Sequence, residues 1–233
     1  MDNPWVNLPR VAPLVLPEDK TLIDAYNASR GITNPSYIHL EQPPEPFIGN
    51  SDAPIVLLNL NPGYSPETDA SFDTNSSYFQ GTILGNLAHT LKDYPFYLLD
   101  PQSGGSGGYK WWYDRLRTLI NECGEDGQRK VAQNILCIEL FGYHTTKWHY
   151  KIPEVPSQQY GFYLVRQAMD RGALIIVMRK RWLTSPLVLK YLPKLKGYEA
   201  LYTLKSTMAM FITPNNCPSG YPKALEILKQ ISV

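Results

Sequence analysis

Four short segments concentrate the residue types that can do chemistry. In Asn59-Leu60-Asn61-Pro62-Gly63-Tyr64, a proline and a glycine fix a turn, and Asn61 sits on it. An amide held in that way can orient a water through its donor and its acceptor. The same residue type also caps turns with no further role, and both readings stand. Glu139 ends an apolar run. An ionised carboxylate accepts hydrogen bonds but donates none, so it suits an amino group on a ligand; the other reading is an ion pair with Lys147 or Arg179. Residues 141–151 (Phe-Gly-Tyr-His-Thr-Thr-Lys-Trp-His-Tyr-Lys) alternate basic and aromatic side chains. That pattern fits phosphate contact through His144 and Lys147 with stacking on unpaired bases, or a folded loop with its rings turned inward. The spacing of His144 and His149 matches no recognised metal-site spacing, and no third ligand accompanies them. Arg179-Lys180-Arg181 is a phosphate grip or a solvated turn. Residues 213–221 (Thr-Pro-Asn-Asn-Cys-Pro-Ser-Gly-Tyr) hold two prolines directly before a helix. Ser219 is placed to cap that helix, whose N-terminus also suits an anion.

These segments need elements behind them. Ile55-Val56-Leu57-Leu58 is a continuous apolar run and reads as a buried strand. Residues 134–140, 173–178 and 208–212 read as three more. Helices are predicted over residues 19–29, 81–91, 109–121, 160–170 and 222–231. Asp19 is placed to cap the first, with Leu22, Ile23 and Tyr26 as its apolar face. Trp112, Leu116, Leu119 and Ile120 share one face of the third, and Arg115 and Arg117 point elsewhere. Residues 103–108 (Ser-Gly-Gly-Ser-Gly-Gly) read as a flexible loop. Alternating strands and helices predict an α/β fold, with helices on both faces of a parallel sheet and every strand running the same way. Ligands bind outside the carboxyl ends of such strands, and all four polar segments fall there.

Composition sets the outer bounds. A chain of 233 residues, 43% of them hydrophobic, supports one sizeable core, so residues 1–233 are read as a single domain with the Pro-rich residues 1–50 wrapped around it. The apolar runs are strand-length, which predicts no membrane span. Pro4, Pro9, Pro13 and Pro17 break an N-terminus with no basic start, which predicts no secretory signal. Three widely spaced cysteines give neither a disulfide framework nor a CxxC pair, so a reducing, cytoplasmic setting is expected. The net charge of +1 is uneven: residues 1–108 hold 4 Lys+Arg against 12 Asp+Glu, and residues 109–233 hold 18 against 9. The basic half fits an anionic partner, or the two halves attract each other within the fold.

In order and spacing, residues 50–233 resemble the uracil-DNA glycosylase superfamily. There a buried strand runs into a motif that places the attacking water, and in the mismatch-specific uracil/thymine branch it reads Gly-Ile-Asn-Pro-Gly. Asn59-Leu60-Asn61-Pro62-Gly63 is similar to it, with Asn61 in the water-positioning place. The family's second motif, His-Pro-Ser or Asn-Pro-Ser-Gly before the final helix, resembles Cys217-Pro218-Ser219-Gly220. The resemblance implies a three-layer α/β/α sandwich around a four-stranded, mainly parallel sheet. It also implies a monofunctional glycosylase, a DNA-repair hydrolase that cuts the N-glycosidic bond of a flipped base with no metal and no cofactor. Asn61 and Ser219 would be catalytic. Glu139, Tyr64, Phe79 and Asn216 would contact the base. His144, Lys147, Arg179, Lys180, Ser219 and Gly220 would hold the backbone of DNA or another nucleic acid, single-stranded or with one base flipped.

Two departures bear on activity. Cys217 stands where the family has His or Asn, and a thiol is a weak donor to a leaving base. Glu139 stands where the uracil-specific branch reads the base with Asn. An ionised Glu139 would face O4 of uracil with like partial charge, so uracil is expected to be a poor substrate and an amino-bearing base a better one. The alternative function is a nucleic-acid or nucleotide-binding protein on the same fold with catalysis weakened or lost.

Overall fold

The computed structural model describes residues 1–69 and 73–231. Its centre is three parallel strands with every residue buried: β2 (Ile55–Asn59), β3 (Ile135–Glu139) and β4 (Leu174–Val177). Continuous apolar runs form such strands because both faces of a central parallel strand are covered. β2 lies between the other two. Asn59 is level with Glu139 on β3, and Leu58 is level with Val177 on β4.

Two edge strands complete the sheet, and both differ from expectation. With β1 (Phe47–Gly49) and β5 (Leu201–Thr203) the order is β1-β3-β2-β4-β5, five strands among the described residues rather than four. β1 runs antiparallel to β3, so the strands do not all run one way. It comes from the Pro-rich segment, where two apolar residues are too few to signal a strand. Its outer edge is closed by the buried amide of Asn86, whose Nδ2 donates to the Phe47 carbonyl at 2.8 Å while its Oδ1 accepts from Gly49 N at 3.3 Å. A side chain thus stands where a further strand would otherwise pair. The other edge is β5, parallel to β4. The apolar run at 208–212 is not a strand: Met208 is 88% exposed, and Met210 has φ +55°, which breaks an extended backbone.

The parallel strands therefore lie in the order β3-β2-β4-β5. From β2 the chain goes to one side for β3 and returns to the other for β4. Open parallel sheets hold ligands at the carboxyl ends beside such a reversal.

The helices are close to those predicted. Gly107–Glu122 is capped by Ser106, whose Oγ accepts from Tyr109 N at 3.0 Å, so part of the glycine-rich stretch is helical. Its buried residues are Trp112, Leu116, Leu119 and Ile120. Gln158–Asp170 and Tyr221–Gln230 stand as expected, and Gly127–Asn134 is additional. The helix expected over 81–91 is present in part: a π-helical stretch, Tyr78–Ile83, continues into the short α-helix Leu84–Leu87 and ends four residues early. Pro17–Ala28 starts two residues early, with no side-chain cap. Asp19 lies within its first turn, fully buried, and accepts from Tyr143 Oη at 2.7 Å and Ser157 N at 3.0 Å. Those bonds tie the N-terminal wrap to the loops beyond β3. Leu22, assigned to the apolar face, is exposed. Among the described residues no helix is long and apolar enough to cross a membrane.

Replacing Asn86 by Leu leaves the Phe47 carbonyl and the Gly49 N–H buried without partners. The expected loss is about 2–4 kcal/mol in urea-induced unfolding; an unchanged midpoint would show that Asn86 does not close the sheet.

Candidate functional site

Beyond Asn59 and Glu139 the two chains stay laced together. Leu140 N donates to Asn59 O (3.2 Å), Phe141 N to Leu60 O (3.0 Å), Thr145 N to Pro62 O (3.3 Å) and Tyr64 N to Thr145 O (3.2 Å). The Asn61 turn is therefore braced along its length by residues 140–145. Asn61 Nδ2 donates to Thr145 Oγ1 and to the Pro62 carbonyl, both at 2.8 Å. Its two amide hydrogens are spent, and among the described residues Oδ1 takes no bond. The turn thus presents one fixed acceptor, able to hold a water by its hydrogen.

His144 is part of the brace. Its Nδ1 lies 2.6 Å from the Gly63 carbonyl and its Nε2 lies 3.0 Å from the Pro43 carbonyl, so both ring nitrogens are engaged inside the chain. Phe141 and Tyr143 are buried, and Tyr150 is exposed. The aromatic segment therefore folds inward at its start and opens outward at its end. Lys147 is exposed there.

Glu139 is buried, only 6% exposed. Its Oε1 accepts from Asn59 Nδ2 at 2.9 Å and from Cys137 Sγ at 3.8 Å, while Oε2 is buried with no partner among the described residues. Burial above all, with the nearby Glu45 adding to it, pushes this carboxyl up to about 8 against the pull of Asn59, Arg179 and Cys137. At neutral pH Glu139 is thus a neutral acid, with a donor as well as an acceptor. That revises the ionised carboxylate assumed above, and with it the charge-based objection to uracil. Among the described residues Glu139 makes no salt bridge to Lys147 or Arg179.

Arg179 follows β4 and is half-buried. Its Nη1 donates to the Thr207 carbonyl at 2.8 Å, and its Nε is buried without a partner among the described residues. Burial lowers its pKa, and Glu139 opposes that. Lys180 is exposed. Trp182 is buried, and its indole N–H donates to the Asn59 carbonyl, tying the exit of β4 to the end of β2.

The 213–220 loop lies beside β5. Asn216 Nδ2 donates to the Ser206 (3.2 Å) and Phe211 (2.9 Å) carbonyls, and its Oδ1 accepts from Ser206 N (2.7 Å). Its amide therefore shapes the 206–211 loop. Cys217 is buried, and burial raises its thiol pKa. Ser219 is exposed and does not cap the final helix; Gly220 is the cap residue, with no side-chain bond. A Cβ on Gly220 would lie 2.8 Å from both Cys217 Sγ and Tyr202 Cβ, so only glycine lets the loop close on β5. Among the described residues no hydrogen bond joins this loop to the Asn61 turn, although both lie at the strands' carboxyl end.

Tyr64 stacks on His39 of the N-terminal wrap, with ring centroids 3.4 Å apart and planes 8° from parallel. Phe79 is fully buried, so its ring belongs to the core and not to an open face. An open groove of about 620 Å³ lies along the wrap, lined in part by Tyr37, Leu40, Asp24 and Glu41. Among the described residues its lining carries no basic side chain. Among the described residues no group of three or more His, Cys, Asp or Glu is placed to hold a metal ion. Three contributors were not singled out from the sequence: Asn59, Thr145 and His39. Asn59 carried a signal, a polar side chain ending an apolar strand; the other two depend on contacts between distant segments.

No family model, no curated protein and no solved structure matches this chain.

A raised carboxyl pKa links Glu139 to stability. The folded state holds this proton more tightly than the unfolded chain does. The contribution is therefore complete below the ordinary carboxyl range and is lost as pH rises through about 8. Glu139→Gln keeps the acceptor and cannot ionise. Its melting temperature relative to wild type is expected to rise between pH 6 and pH 9; a constant difference would show that Glu139 does not titrate there.

Proposed function

We propose that this protein is a monofunctional glycosylase that hydrolyses the N-glycosidic bond of a flipped base in a nucleic acid. The observation that carries the reading is the Asn61 turn: a strand-end amide with both hydrogens tied down and its oxygen unspent. In such a reaction Asn61 Oδ1 holds the attacking water by one hydrogen as the sugar develops oxocarbenium character. A fixed dipole of this kind assists because it needs no reorganisation during bond cleavage. Glu139, neutral and with an unpartnered Oε2, offers a donor to a carbonyl or an acceptor to an N–H on the base. Lys147, Lys180 and Arg179 supply positive charge for strand phosphates. The reading also implies the three-layer α/β/α arrangement of the family that the sequence resembles, and DNA as the first strand to test.

A second reading is favoured by one observation. Cys217 is a buried thiol with a raised pKa, and it stands where that family supplies a donor to the departing base. A protein of that design binds the strand and releases nothing.

The two readings separate in one assay. Oligonucleotides carrying uracil, thymine mismatches and amino-bearing lesions are incubated with the protein at neutral pH and scored for abasic sites. Release from at least one of them is expected, uracil included, with Asn61→Ala slowing it about 100-fold while binding stays within a few-fold. Salt-sensitive binding with no abasic sites on any base would establish the binding reading instead.

A further inference from the structure

Arg115 and Arg179 both hold the 207–212 loop, and their charges act on each other. Arg115 comes from the helix Gly107–Glu122, and its guanidinium lies 4.2 Å from the Trp111 ring centroid and 5.2 Å from that of Phe211. Its carbonyl accepts from Ile212 N at 2.9 Å, while Arg179 Nη1 holds the other end of the loop at the Thr207 carbonyl, 2.8 Å away. Burial lowers the pKa of Arg115, and the charge of Arg179 lowers it further. Each arginine has a buried Nε–H with no partner among the described residues. Among the described residues neither makes a salt bridge.

The counter-charges in range are weak. Asp114 attracts Arg115 from the same helix. Glu139 attracts Arg179, but burial keeps it protonated at neutral pH. Each arginine spends its Nη1 on a backbone carbonyl, Arg115 on Trp111 at 3.3 Å and Arg179 on Thr207, and the remaining donors with little compensating charge have the chemistry to take an oxyanion, since the guanidinium fork matches phosphate geometry.

We propose that Arg115 and Arg179 bind one phosphate group, and that Glu139 gates the site: protonated, it leaves Arg179 free for the anion, and ionised, it neutralises Arg179 and repels the anion. The groups facing Glu139 are Asn59 from β2, Cys137 on β3, Glu45 ahead of β1 and Arg179 beyond β4. Of these, Glu45 opposes ionisation, and Arg179 favours it. Anion binding cancels part of the Arg179 field, so the bound state holds the Glu139 proton more tightly. Affinity must then fall as pH rises through about 8. The phosphate belongs to a strand phosphodiester or to a free phosphate. Only the strand source rests on the glycosylase reading; the anion site itself does not.

Sulfate separates these questions, because its charge is constant over the range in which Glu139 titrates. Calorimetric titration with sodium sulfate at constant ionic strength is expected to give an affinity about tenfold lower well above pH 8 than well below it. Glu139→Gln should bind as tightly as wild type at low pH and lose the pH dependence. Arg115→Gln and Arg179→Gln should each weaken binding about tenfold. Because both residues also hold the loop, Arg115→Lys and Arg179→Lys, checked by melting temperature, separate loss of the guanidinium fork from loss of folding. Equal pH dependence in wild type and Glu139→Gln would overturn the gate. Sulfate affinity indifferent to all four arginine variants, or no sulfate binding at all, would overturn the site. Competition by oligothymidylate identifies a strand phosphate as the source. Sulfate binding that oligothymidylate does not compete with points to free phosphate and counts against the glycosylase reading alone.

Discussion

β3 ends in a buried carboxyl group, and one of its two oxygens has no partner among the described residues. An ionised carboxylate at that place would have only an amide and a thiol to solvate it, far less than water supplies. Arg179 attracts it without a direct contact, and Glu45 works against ionisation. The carboxyl therefore keeps its proton, and the rest of this end of the molecule follows. Arg179 lacks a full counter-charge, Glu139 becomes a donor as well as an acceptor, and the Asn59 amide is committed to holding it in place.

Around that group the polar residues of the strand-end loops divide in two. His144, Thr145, Asn216 and Trp182 spend their hydrogen bonds within the chain and hold the loops in one shape. Asn61 Oδ1, Glu139 Oε2 and the Nε–H groups of Arg115 and Arg179 are left over. Leaving buried groups unpaired costs free energy that a folded protein ordinarily avoids. Three of these, Glu139 Oε2 and the two Nε–H groups, are buried, and a ligand that paired with them would recover that cost on a frame held rigid in advance by the first set.

Much of this frame was legible in the residues. The apolar runs of β2, β3 and β4 declared themselves because central parallel strands are buried on both faces. The 3.6-residue spacing of Trp112, Leu116 and Leu119 likewise declared the long helix. The edges were not legible. β1 is three residues inside a Pro-rich segment, and β5 is a half-exposed stretch. The more apolar run at 208–212 drew the strand assignment although it packs as a loop, because local hydrophobicity does not report which segment finds an open sheet edge. At the site, the turn at Asn61 and the end of β3 at Glu139 were readable as places but not as states. That Glu139 is neutral depends on burial by segments far away in sequence, and that His144 and Asn216 are structural depends on carbonyls that only the folded chain brings near. Arg115 was assigned away from the core face of its helix, as its partial exposure bears out, but its neighbour Arg179 is 64 positions distant.

The protonation state of Glu139 is the claim on which the electrostatics of this end rests, and it can be read directly. Carboxyl ¹³C resonances of glutamate-labelled protein, with Glu139→Gln supplying the assignment, report each side chain's titration. The account predicts that the Glu139 signal stays at its protonated position through neutral pH and moves near pH 8. A Glu139 signal that titrates with the exposed glutamates, in the ordinary carboxyl range, would contradict it.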